Sequence, residues 1–242
     1  MLKKIFFAVL IFISISGYSQ SFYFGVKGGA SLGYQKWETF TQGLLLSYHA
    51  AGFWESYSEI NPMNSLYAQL GLHNRGSALR GASGFTYDNT YYRLSTQDFI
   101  FSNLSLGLGA KKKQAISDKL NSFYSFGVRL EYTLFTNLNK YEEYNGLWSS
   151  YYYPSDDFVN KITYGATVGG GVEFKFSELV NGLIELTINP DLFNQYDQPQ
   201  ISGVVDPYHP SNTITLNRRR IKNTTVEITF GLKFMRKVIY VD

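Results

Sequence analysis

The chain has 242 residues, 17% of them aromatic, 17% charged and none cysteine, with a formal net charge of +3. The missing cysteine excludes disulfides, thiolate metal sites, a cysteine nucleophile and a lipid anchor on cysteine. So small and mixed a charge argues against a nucleic-acid partner, while 20 Tyr and 22 Gly favour strands and turns over helices.

Taken in order, the chain opens with Lys3 and Lys4, an apolar run over residues 5–15, and the small residues Gly17 and Ser19 before Gln20. That pattern predicts a secretory signal peptide over residues 1–19 and a mature domain over residues 20–242. Beyond residue 20 no window approaches the roughly eighteen apolar residues of a spanning helix. Any membrane crossing is therefore made by strands.

Eight segments then alternate with period two, as strands do when successive side chains point to opposite faces. They run over residues 22–32, 46–57, 65–75, 100–109, 123–136, 164–175, 184–189 and 225–234. The fifth is the clearest. Tyr124, Phe126, Val128, Leu130, Tyr132 and Leu134 fall on one side, and Ser125, Gly127, Arg129, Glu131 and Thr133 on the other. The second is the least regular, because Phe53 falls on its polar side. Connections after the first, third, fifth and seventh segments are long, and those after the second, fourth and sixth are short. The segment 110–121, with Lys111, Lys112 and Lys113, reads as a turn whose lysines are solvated. Such parity is what an up-and-down barrel gives when long loops lie outside the cell and short turns face the periplasm.

Alternation alone does not say which face is inside. A soluble barrel lines its cavity with the oily face, whereas a membrane barrel turns that face to lipid. Phe22, Trp54, Tyr124, Tyr164 and Phe234 recur near strand ends, as interfacial girdles do. On the polar face Lys27, Arg75, Arg129, Lys175 and Lys233 stand against Glu55, Glu131, Glu173, Glu185 and Glu227. A narrow lumen needs that balance, since an unpaired buried charge costs several kcal/mol. Arg129 and Glu131 are expected to pair with neighbours such as Glu173 and Lys175 more than with each other. The predicted fold is all-β, an eight-stranded antiparallel up-and-down transmembrane β-barrel, with a lumen filled by side chains rather than a diffusion pore.

Four stretches carry a resemblance. They are Phe24-Gly-Val-Lys-Gly-Gly, the segment from Tyr48-His-Ala to Glu55, Val168-Gly-Gly-Gly-Val-Glu, and Phe230-Gly-Leu-Lys-Phe. The chain resembles the PorT-like outer-membrane β-barrel family of Bacteroidetes-type Gram-negative bacteria over essentially its whole mature length. The resemblance implies the barrel and an outer-membrane location. By analogy of fold alone, it also implies a link to type IX secretion and gliding.

Candidate chemistry is sparse. His49 and His73 project to the polar face of neighbouring strands, and His209 lies in the last long connection. With no His-x-x-x-His spacing, they read as members of the Arg/Glu network rather than as metal ligands or an acid–base pair. Tyr141, Tyr144, Trp148, Tyr151, Tyr152 and Tyr153 form an aromatic cluster that either binds a protein partner or packs over the barrel mouth. Arg218, Arg220 and Lys222 point outward if the last strand continues upward in register, where lipopolysaccharide phosphates sit. Gly169, Gly170 and Gly171 lie within a strand and lack the rest of a phosphate loop. The sequence thus predicts no cofactor and no enzyme, but an envelope barrel with a structural or interaction role. Its partners are outer-membrane lipid, lipopolysaccharide and an unidentified envelope protein. The alternatives are a lipid-modifying barrel enzyme with Ser and His on a strand rim, and a secreted soluble barrel holding a small apolar ligand.

Overall fold

The computed structural model describes residues 21–37, 42–81, 83–85, 90–93, 95–141, 154–206 and 211–237. Eight strands close into one barrel: β1 Phe22–Gln35, β2 Leu45–Ser56, β3 Asn64–Leu79, β4 Gln97–Ser117, β5 Leu120–Thr136, β6 Ile162–Lys175, β7 Val180–Pro190 and β8 Asn223–Arg236. Each pairs antiparallel with its sequence neighbours, and β8 returns to β1 with Phe22 opposite Arg236 and Gln35 opposite Asn223. Closure leaves no free edge in the wall, which removes the usual liability of a long strand. Among the described residues no helix is long and apolar enough to cross a membrane, which says nothing of a barrel.

Short and long connections alternate as the sequence predicts, but several boundaries move. The fourth strand does not stop at residue 109. It runs to Ser117, and the turn shrinks to Asp118 and Lys119. The physical reason is that Lys111 and Lys113 continue the inward column of the strand and find buried carboxylates there. β3 likewise continues to Leu79 and β7 begins at Val180. The turn before β7 is fixed by Ser177, whose Oγ accepts the N–H groups of Leu179 and Val180 at 3.3 and 3.1 Å, as short hydroxyl side chains do in turns. In the long connections three small ribbons form: Ser83–Phe85 with Tyr91–Arg93, Tyr196–Gln198 with Arg219–Ile221, and Ile201–Val205 with Thr213–Leu216.

The wall is inside out relative to a water-soluble protein. On β5, Phe126, Val128 and Leu130 are 59%, 58% and 51% exposed, while Arg129, Glu131 and Thr133 between them are 4%, 1% and 1% exposed. The same holds for Val26 against Ser31 on β1, Leu70 and Leu72 against His73 on β3, and Ile228 and Phe230 against Glu227 and Thr229 on β8. An apolar belt this continuous far exceeds the patches a soluble monomer shows to water, and it is the kind of face that a membrane barrel turns to lipid. A soluble barrel holding an apolar ligand requires the reverse arrangement.

Glycines on the inner face make room for the large side chains that fill it. A Cβ at Gly165 would stand 2.6 Å from Arg129 Nη2, and one at Gly109 would stand 2.6 Å from the Tyr67 hydroxyl. At the long-loop end the polarity reverses. Trp37, Phe99, Phe101, Leu138, Tyr141, Tyr196 and Ile221 pack into a buried apolar cluster across the mouth, with Leu79, Phe158 and Val159 against it. That cluster is a small soluble-type core sitting on a polar barrel.

Candidate functional site: a sealed charged lumen and its cap

The lumen is organised in tiers, each bridging strands far apart in sequence. Nearest the short turns, Glu55 of β2 and Glu173 of β6 face Lys111 and Lys113 of β4 and Lys233 of β8. Lys111 Nζ lies 3.1 Å from Glu55 and 3.4 Å from Glu173. Lys233 lies 2.6 Å from Glu173 and 3.6 Å from Glu55, and Lys113 pairs directly with Glu55. Ser65 Oγ donates to Glu55 at 3.0 Å, and the Tyr23 ring lies 4.3 Å from Lys233 Nζ. Above this tier Lys27 meets Glu185 at 2.6 Å, amid Phe53, Tyr67 and Leu183. The void enclosed there is about 10 Å³, room for one water at most.

The third tier holds guanidiniums and imidazoles. Arg75 Nη2 lies 2.7 Å from Glu131 and 3.9 Å from Glu227. Arg129 Nε reaches Glu131 at 3.2 Å, and its Nη2 pairs with Asp191. His73 Nδ1 lies 2.9 Å from Glu227, and its ring stacks on His49 with centroids 5.3 Å apart. His49 Nε2 in turn meets Thr229 Oγ1 at 2.9 Å. Asn103 donates to Glu131 at 3.1 Å and Asn223 to Asp191 at 2.9 Å. Among the described residues, six lumenal carboxylates (Glu55, Glu131, Glu173, Glu185, Asp191, Glu227) face six cations (Lys27, Arg75, Lys111, Lys113, Arg129, Lys233).

Chemically these contacts act as struts. Arg75 ties β3 to β5, Lys27 ties β1 to β7, and the Lys111–Glu173–Lys233 chain ties β4 to β6 and β8. Pairs so thoroughly buried do not add much net stability over apolar packing, yet removing one partner is costly, so they fix which strands lie opposite. His49 and His73 are 4% and 5% exposed in mid-lumen, away from either strand rim.

Of the ten residues assigned to the lumen from sequence, nine line it. Lys175 is the exception: at the last position of β6 it is exposed at the short-turn rim. The expected pairing of Arg129 and Glu131 with Glu173 and Lys175 is also corrected. Glu173 lies in the tier at the other end, and Arg129 and Glu131 bind each other together with Arg75 and Asp191. Lys111, Lys113 and Asp191 join the network unforeseen. For the two lysines the signal was the outward column Leu104, Leu106, Leu108 of β4, which sets odd positions inward.

At the mouth, Tyr141 is buried, donating its hydroxyl to the Asp98 carbonyl at 3.0 Å with its ring 4.9 Å from that of Phe99. It is a packing residue of the cap rather than a partner surface. Tyr144, Trp148, Tyr151, Tyr152, Tyr153 and His209 lie outside the described residues. Burial pushes the Tyr196 phenol up to about 12; it donates to Gln198 Oε1 at 2.9 Å and accepts the Ser155 N–H at 3.3 Å. Outside the cap Arg218, Arg220 and Lys222 are all exposed, while Arg219 turns inward toward the Trp37 ring at 5.8 Å. Arg218 grips Asp197 with Nε and Nη2 at 2.9 and 2.8 Å, which holds that carboxyl below its ordinary range. Lys222 donates to the Leu192 carbonyl at 3.3 Å.

No family model and no curated protein matches the sequence. Among solved structures, the chain is similar to the outer membrane protein OprG from Pseudomonas aeruginosa, with a TM-score of 0.52 at 10% identity, over 89% of this chain and 96% of that one. It is also similar to Neisserial surface protein A, at 11% identity and a TM-score of 0.47 over 88% and 96% of the two chains. A third is the outer membrane protease OmpT from Escherichia coli, at 9% identity and 0.41 over 90% and 98%. The likeness to OprG is one of fold, and sets this closed antiparallel barrel beside an outer-membrane barrel.

Proposed function

We propose that this chain is a small integral barrel of a bacterial outer membrane, exported through the signal peptide over residues 1–19, whose sealed lumen anchors a structural or interaction platform built by its long loops. The observation that carries this reading is the inversion of the wall: exposed leucine, valine and phenylalanine surround a lumen packed with paired charges. A wall of that kind needs lipid outside, and a lumen so filled conducts nothing of substrate size. The long loops face the exterior and the short turns the periplasm.

Arg220 and Lys222, with Arg218 already engaged by Asp197, form the edge that meets lipopolysaccharide phosphates. The partner is an envelope protein reached through the loops. A link to type IX secretion has only the PorT-like resemblance behind it. No catalytic role is assigned, since the two described histidines are committed to Thr229 and Glu227 inside the lumen. The test is extraction of cell envelopes. The full chain is expected to stay with the outer-membrane fraction until detergent is added, and to migrate faster unheated than boiled. Partition into the aqueous phase without detergent would sink the proposal. Cross-linking of intact cells followed by capture identifies the partner.

A further inference from the structure

The three lysines of β4 alternate strictly. Lys111 and Lys113 enter the lumen, and Lys112 between them is exposed on the outer face. The cross-strand register fixes its surroundings. Asn64 and Tyr124 flank Lys112, and one step further along the apolar face Leu66 and Phe126 flank Ala110. Leu66 and Phe126 stand out from the wall, 64% and 59% exposed, whereas Ala110 offers one methyl. Between them lies a trough of about 350 Å³ whose head is formed by Lys112 and Ser56. Unlike its two neighbours, Lys112 has no carboxylate within ion-pair distance among the described residues.

An unpaired ammonium at the head of an apolar trough is the complement of one kind of molecule, with a phosphate at one end and a hydrocarbon chain at the other. We infer that the trough binds an anionic glycerophospholipid of the leaflet beside the short turns, its phosphate on Lys112 and one acyl chain along Ala110 between Leu66 and Phe126. The inference rests on the membrane reading above and adds a headgroup charge and a leaflet to it. A single lysine near a membrane surface attracts an anionic headgroup by enough to change occupancy about fivefold. The trough supplies dispersion contacts that are independent of headgroup charge.

The two contributions separate experimentally. The full chain is reconstituted in nanodiscs of equal phosphatidylglycerol and phosphatidylcholine, and the lipids it retains are counted by native mass spectrometry. The wild-type chain is expected to retain phosphatidylglycerol at least about fivefold over phosphatidylcholine. Lys112→Gln lowers that ratio about fivefold, leaving the share that Arg220 and Lys222 hold at the opposite rim, while Lys112→Arg keeps it. Ala110→Leu fills the trough and lowers retention of both lipids without touching a charge. An unselective wild-type chain, a preference that Lys112→Gln leaves unchanged, or full retention by Ala110→Leu each overturns the inference. Heat-modifiable migration is recorded for every variant. A chain that never enters the discs overturns the membrane reading and this inference with it, whereas one that enters without lipid preference overturns the inference alone.

Discussion

The wall and the cap use the same residue types in opposite senses, and one stretch of chain shows the change. From Arg219 to Phe230 the inward positions are Arg219, Ile221, Asn223, Thr225, Glu227 and Thr229, and the outward ones Arg220, Lys222, Thr224, Val226, Ile228 and Phe230. The parity never slips. At the cap, however, Ile221 is buried and Lys222 exposed, whereas a few residues on Glu227 is buried and Ile228 exposed. On the membrane reading proposed above, the chain changes solvent near Asn223 without changing geometry. Above that point water drives apolar groups inward. Below it lipid is as apolar as any side chain, and the inner face is left to polar groups that satisfy one another. Two rules of stability therefore hold within one barrel, and each can be broken separately.

The largest effect is expected in the lumen. Arg75→Met leaves Glu131 and Glu227 without their shared cation and should cost about 3–5 kcal/mol. The loss is read as a lower urea midpoint for the heat-modifiable band in lipid, and an unchanged midpoint would mean that the struts do not hold the wall. In the cap, Leu138→Ala opens a cavity in a core of ordinary type, worth about 2–5 kcal/mol where the surroundings stay rigid. That loss should stay local. Limited proteolysis of the long loops should speed up while the barrel's midpoint holds. Equal falls in both would show cap and wall to be one cooperative unit. On the outer face, Val128→Arg places a charge on the lipid side and should cost about 2–4 kcal/mol near the midplane, measured as failure to insert into vesicles. Normal insertion would reverse the assignment of faces.

How much of this was legible in the sequence follows from the same contrast. Each wall position faces one of two solvents, so period two is written into all eight strands and their inward charges. The pattern fades where a strand leaves the apolar belt and neither face carries a regular apolar column, which is why residues 76–79 of β3 and 110–117 of β4 read as loop. Lys111 and Lys113 are hidden for a further reason. Three consecutive lysines look solvated, and only Glu55 and Glu173, 56 and 62 residues from Lys111, say otherwise. Asp191 sits one residue beyond the end of its strand, where alternation gives no instruction. Of the cap only Tyr141 is legible, through the aromatic cluster that the sequence offers as packing over the barrel mouth. Its other contacts join segments far apart in the chain, such as Ser155 to Tyr196 and Trp37 to Phe99, with no period to announce them.

The smallest expected effect lies at the outer edge of the cap, and pH resolves it. Arg218 holds the Asp197 carboxyl below its ordinary range by a bidentate hydrogen bond. A carboxylate whose folded value is depressed contributes stability that is fully present above its unfolded value, about pH 4, and lost as pH falls through the folded one. The contribution is modest, because both partners are in reach of water. It should appear as slower amide exchange in Tyr196–Gln198 and Arg219–Ile221 for the wild type than for Asp197→Asn near neutral pH. Once the wild-type carboxyl is protonated the two chains carry the same charge there, and the difference should vanish. A difference that persisted in acid would belong to the shape of the side chain, and the ribbon's polar edge would then follow the packing rule of the cap's interior instead of electrostatics in water.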